Sequence, residues 1–219
     1  MDIGTMLGDS FEYTKEGLVG KWMRWILLVI CAIIFPLFYG YIVRILKGAS
    51  PAPELEDWVR LLIDGIKLLI IGIIYSIPVF IVLLLVAGGS LAAFASQDPA
   101  MIVAAVGTAI VGILAAIIVA IIVYLFAIIG SIRFARMDSM GEAFNFSAIL
   151  ETIGKIGWVS YIIALIVVYI VVFIVEFIIA IIMSIPLIGW IIGLLATPAI
   201  GIFMARYLAL LYESAESSA

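Results

Sequence analysis

Five stretches of this chain carry no charged residue: 25–43, 68–96, 99–132, 156–175 and 177–205. Each is long enough, or nearly so, to cross a bilayer core of roughly 30 Å, which takes about 20 helical residues. Nothing else in the sequence narrows the fold as far. Hydrophobic residues make up 67% of the chain and charged residues 12%, and no water-soluble core hides such an excess. The runs do not alternate polar and apolar as barrel strands do, so they are expected to be helices. The expected fold is all-α. It is a polytopic helical membrane bundle with four clear crossings in two hairpins, an N-terminal spanning or re-entrant segment and two cytoplasmic interfacial amphipathic helices.

Sidedness follows from lysine and arginine, which gather on the cytoplasmic face. The eleven are Lys15, Lys21, Arg24, Arg44, Lys47, Arg60, Lys67, Arg133, Arg136, Lys155 and Arg206. The connections 88–98 and 184–189 hold none and are expected outside. The segments 44–67 and 133–155 and the C-terminal tail are expected inside. The first apolar run fits two paths. A kinked spanning helix puts Lys15, Lys21 and Arg24 outside; a segment that dips and returns, bent near Pro36 and Gly40, keeps all eleven inside. Pro36 interrupts the helical ladder near the middle of the run, as a bend requires, and the dip is the favoured path.

A single membrane domain over 1–219 is then expected. An amphipathic cytoplasmic tail (1–24) leads into the spanning or re-entrant segment (25–46). The first interfacial helix plus a crossing (53–96), a crossing (99–132), the second interfacial helix plus a crossing (142–183), a crossing (186–212) and a polar tail (213–219) follow. The two amphipathic stretches resemble each other. In the first, Leu55, Trp58, Val59, Leu62, Ile63 and Ile66 oppose Glu56, Asp57, Arg60, Asp64 and Lys67. In the second, Phe146, Ile149, Leu150 and Ile153 oppose Ser147, Glu151, Thr152 and Lys155. Such helices lie along lipid headgroups with the apolar face down.

The stretches "FYGYIVRILKG" (38–48) and "PELEDWVRLLIDGIKLLIIGIIYSIP" (53–78) carry a family likeness. Their Gly-Tyr before a basic helix end, Pro–Trp entry, Asp-Gly-Ile-Lys junction and Tyr-x-Ile-Pro kink resemble the archaeal integral-membrane domain-of-unknown-function family 4013. That family is distantly similar to membrane domains accompanying glycerophosphodiester phosphodiesterases. The resemblance implies a polytopic fold in the plasma membrane of a prokaryote, an archaeal one, and supplies no catalytic residues.

Among individual residues, Glu176 stands in a crossing, where an acid is costly and marks a candidate proton relay or cation ligand. Counting up from Lys155 puts it about 31 Å above the inner edge, where a hydrated outer-edge carboxylate is the plainer reading. Arg44, Lys47, Trp58, Arg60, Lys67, Arg133, Arg136, Lys155 and Arg206 are candidate contacts to lipid headgroups or a partner. Ala104, Thr108, Gly112, Ala116 and Ala120 form a small-residue stripe for helix packing, within the bundle or between copies.

Histidine is absent and Cys31 is the lone cysteine, so no metal site of the His or Cys type and no cofactor is expected. No nucleotide loop, nucleophile elbow or paired carboxylate occurs, and no basic cluster fits nucleic acid. The expected function is non-enzymatic: a membrane scaffold or complex subunit that engages lipids, a protein partner or a second copy through its cytoplasmic helices. The alternative is a small secondary transporter or channel that uses Glu176. The C-terminus is expected in the cytoplasm.

Overall fold

In a computed structural model that describes residues 2–216, the chain is helical throughout, with no strand among the described residues. In order, the helices are α1 (Ile3–Leu18), α2 (Trp22–Ile33), α3 (Phe35–Leu46), α4 (Trp58–Ser96), α5 (Pro99–Met137), α6 (Phe146–Ile156), α7 (Trp158–Met183) and α8 (Ile188–Glu216), with a short 3-10 turn at Met140–Phe144. Four of them, α4, α5, α7 and α8, are long and apolar enough to cross a membrane. Their surfaces support a lipid environment: Leu84, Leu85, Leu91, Val103, Phe173 and Ile188 are all exposed. Apolar patches on that scale are foreign to soluble monomers. The protein is an all-α, multi-pass membrane protein.

Two compact units divide the chain. One is Ile70–Ile128; the other combines Met1–Leu69 with Ile129–Ala219. The first unit is the turn end of the α4–α5 hairpin. Its turn is set by Gln97, whose φ is +55°, and by Asp98, whose side chain accepts from the Ala100 amide at 2.8 Å. That cap, followed by Pro99 at the start of α5, is the ordinary chemistry of a helix N-terminus. Pro78 lies inside α4, which runs on through it. At Gly112 an added Cβ would meet the Val86 side chain, so α5 approaches α4 closely there.

In the other unit α8 is the central post and touches α1, α2, α3, α6 and α7. Its residues Ile202, Ala205, Tyr207, Ala209 and Leu211 are buried. The Tyr207 hydroxyl donates to the Ala164 carbonyl of α7 at 2.9 Å, the usual fate of a phenol in an apolar interior. The turn between α7 and α8 holds Pro186 and, at φ +65°, Leu187.

The apolar run at 25–43 forms no single helix. It breaks at Ile34 (φ −96°, ψ 78°) between α2 and α3, and Pro36 falls in the first turn of α3. Proline fits there because its missing N–H has no helical acceptor to lose. The bend therefore lies ahead of Pro36, and Gly40 does something else. A Cβ on Gly40 would strike the Leu61 backbone, and one on Gly65 would strike the Pro36 carbonyl. The two glycines let α3 and α4 pack backbone to backbone.

That contact also corrects the expected first interfacial helix. Residues 58–67 are continuous with α4 and do not form a separate helix. Leu61, Asp64 and Gly65 are buried, while Trp58, Val59, Leu62, Ile63 and Ile66 stay exposed. The small and polar side faces protein and the apolar side faces out, the arrangement a lipid surround favours. The second amphipathic stretch does form its own helix, α6, separated from α7 by Gly157 at φ +89°. The expected polar tail is helical to Glu216; residues 217–219 lie outside the described residues.

Candidate functional site: a charged end and two cavities

Every Lys and Arg belongs to the larger unit, and the arrangement begins at the ends of the α2–α3 pair. Arg24, at the start of α2, is buried and its guanidinium pairs with the Glu54 carboxylate. It also donates to the Gly17 carbonyl at 3.3 Å. Arg44, near the end of α3, donates to the Glu54 carbonyl at 3.1 Å and to the Glu56 carbonyl at 2.6 Å. Both ends of the run meet one loop, so the path doubles back.

Beside this loop Asp64 sits only 3% exposed. Lys47, Arg60 and Lys67 each approach it at 3.9 Å. Asp138, just past the end of α5, takes Lys47 at 3.4 Å and Arg60 at 3.2 Å. The Lys47 ammonium, by its charge and its hydrogen bond, holds the Asp138 carboxyl below its ordinary range. A buried carboxylate needs such company, because desolvation otherwise outweighs a single pair. The cluster joins the ends of α3 and α5 to the start of α4.

The remaining arginines and Lys155 are also met locally. Arg133 pairs with Glu142, whose carboxyl is lowered first by that hydrogen bond and then by Asn145. Arg136 pairs with Glu213 at 2.5 Å, donates to the Leu46 carbonyl at 2.9 Å and lies over the Tyr212 ring. Lys155 pairs with Glu151 at 2.9 Å, one turn away on α6. Arg206 differs. Its guanidinium lies over the Tyr13 ring of α1, 5.0 Å from the centroid, and its Nε is buried without a hydrogen-bond partner. Burial pushes the Tyr13 hydroxyl up to about 12, and that hydroxyl donates to the Ala49 carbonyl at 2.8 Å.

Of the candidate headgroup contacts, then, Lys47, Arg60 and Lys67 come together at Asp64, Arg133 and Lys155 border one opening with Glu151 and Tyr212, and Arg136 stands at its own pair. Trp58 is exposed. Glu176 is exposed on α7 and opens on a cavity of ≈ 360 Å³ that also meets Met183, Trp190, Gly193 and Thr197. In the small-residue stripe Ala116 is buried, Gly112 faces Val86, and Ala104 and Thr108 are exposed. The Thr108 hydroxyl donates to the Ala105 carbonyl at 3.0 Å. No group of three metal-ligating side chains occurs among the described residues.

A second cavity, ≈ 220 Å³, lies between α1, α7 and α8 and is lined by Phe11, Thr14, Val172, Val175, Ala199 and Phe203, among others. The sequence pattern did not single out this slot, the Tyr13–Arg206 contact or the Arg24–Glu54 pair. Spacing alone could have found Arg60, Asp64 and Lys67, three and four apart on one helix. No pattern in the chain announces that Lys47 and Asp138 join them.

A family model described as "Protein of unknown function (DUF4013)" matches residues 25–184. No curated protein and no solved structure matches the chain.

Proposed function

We propose, for a chain that belongs to the family described as protein of unknown function (DUF4013), a non-enzymatic role as a membrane scaffold or complex subunit. On this reading the charged end faces the cytoplasm of a prokaryote, archaeal by its resemblance, and engages lipid headgroups or a partner.

The observation that carries it is the surface of α6. Ile149, Ile153 and Ile156 are buried, whereas Phe146 is 51% and Leu150 44% exposed. Those two apolar side chains stand beside the Glu151–Lys155 pair. A short amphipathic helix anchored by half its apolar stripe presents the other half to a headgroup layer or a docking protein. The test is a photo-reactive residue in place of Phe146 in intact membranes, with Leu150→Ala as the companion variant. Adducts to lipid or to one discrete protein that weaken in the companion support the reading. A probe quenched by water alone overturns it.

A second reading rests on Glu176. Among the described residues no ion pair or hydrogen bond reaches this carboxylate, and it opens on the cavity with Thr197 and Trp190. A coupling acid in a small transporter would sit in such a place. Flux of protons or cations into proteoliposomes, lost in Glu176→Gln, supports this reading; equal flux in both proteins removes the site.

A further inference from the structure

The six arginines are not alike. Arg24, Arg60, Arg133 and Arg136 each meet a carboxylate, and Arg44 meets backbone carbonyls. Arg206 meets neither among the described residues; it lies over the Tyr13 ring, and its Nε is buried without a partner, as are those of Arg24 and Arg133, whose terminal nitrogens are paired. A part-exposed guanidinium with no anion keeps its planar fork of donors open, and that fork suits a phosphate.

The slot described above is lined on α8 as far as Phe203, one turn short of Arg206. Phe203, which lines the slot, precedes Arg206 by one turn of α8, about 4.5 Å along the axis. On α1, Phe11 and Thr14 line the slot, and Tyr13 between them in sequence belongs to the buried face of the helix. The lining is apolar apart from Thr14, and the Thr14 hydroxyl is already committed to the Ser10 carbonyl at 2.8 Å. The slot therefore offers apolar contact and no hydrogen bond, while the cation one turn further along α8 offers the reverse. At ≈ 220 Å³ it holds part of a hydrocarbon chain, and its walls belong to α7 and α8, two helices long enough to cross a bilayer.

We infer that this is a binding site for one anionic membrane phospholipid, with a segment of an alkyl chain between α1, α7 and α8 and the phosphate on Arg206. The inference deepens the lipid-engaging half of the function proposed above and rests on it. The α6 surface is a separate feature and is tested separately.

The experiment is native mass spectrometry of the purified full chain in mild detergent. It is titrated with phosphatidylglycerol or with phosphatidylcholine of the same chains. Wild type is expected to retain one phosphatidylglycerol about tenfold more tightly than phosphatidylcholine, a difference of about 1.4 kcal/mol. Arg206→Gln is expected to erase that preference, and Arg206→Lys to keep part of it. Ala199→Phe, which fills the slot, weakens both lipids, and Phe146→Ala changes neither. Equal retention of the two lipids by wild type overturns the site, as does a preference that survives Arg206→Gln. Unchanged binding in Ala199→Phe overturns it as well, because the chain then lies elsewhere. If Arg206→Gln does not fold, Ala199→Phe and Arg206→Lys decide. If the α6 probe fails while these results hold, the docking helix falls and the lipid site stands.

Discussion

Arg24 closes on the carboxylate of Glu54, thirty positions along the chain, and the two partners are unequally placed. The arginine side chain is 7% exposed and the glutamate 66%. Removing Glu54 therefore leaves a buried cation behind, whereas removing Arg24 leaves a hydrated carboxylate. Since Arg44 holds the carbonyl of the same Glu54, this residue ties the start of α2 to the end of α3.

Glu54→Gln is expected to cost about 1–3 kcal/mol, less than the 3–5 kcal/mol of a fully buried broken pair because one partner is wet. Arg24→Gln combined with Glu54→Gln recovers part of that loss. Thermal unfolding of the two variants in detergent measures it. Additive losses in the pair would mean that no coupling exists.

The glycine contacts between α3 and α4 lead to a steric prediction. Gly40→Ala and Gly65→Ala each drive a methyl into backbone that cannot rotate away and are expected to cost about 1–3 kcal/mol or more. Gly72→Ala on the same α4 meets open space and is expected to be neutral or mildly stabilising. A denaturation series that ranks all three alike would contradict the close approach.

Asp138 supplies the pH dependence. Lys47 holds its folded carboxyl below the ordinary 3.8, so the folded state binds fewer protons there than the unfolded chain. Its contribution is present in full above the unfolded value and disappears as pH falls through the folded one. Asp138→Asn should thus lower the melting temperature at neutral pH and make no difference once both forms of the carboxyl are protonated. A gap between wild type and variant that persists in strong acid would point to a packing effect. High salt should narrow the neutral-pH gap, since Asp138 is exposed.

The parts of this fold that were legible in the sequence are those set by solvent. Runs of Ile, Val, Leu and Ala without a charge must be helices in lipid, and α4, α5, α7 and α8 follow from that alone. What escaped was set by partners distant in the chain. The face of residues 58–67 was legible as a stripe, yet which side turned inward depended on Gly40 and Gly65 letting α3 approach. Asp64 was visible as a helical neighbour of Lys67, while its burial depended on Lys47 and Arg60 arriving from other directions. Tyr13 and Arg206 lie at opposite ends of the sequence, and neither neighbourhood hints at the other. Pro36 did mark the broken run, but the bend fell at Ile34 because proline begins α3 more easily than it bends it.

On the proposed topology the apolar run at 25–43 enters the membrane and returns, so that Lys21, Lys47 and Ser139 face the same side. The most direct measurement places single cysteines at Lys21, Lys47, Ser139 and Gln97 in a Cys31→Ala background. Intact cells are then treated with a membrane-impermeant thiol reagent. Labelling is expected at Gln97 alone, with the other three positions reacting only after the membrane is opened. Labelling at position 21 in intact cells while position 47 stays protected would mean that the run crosses, and would overturn the proposed topology.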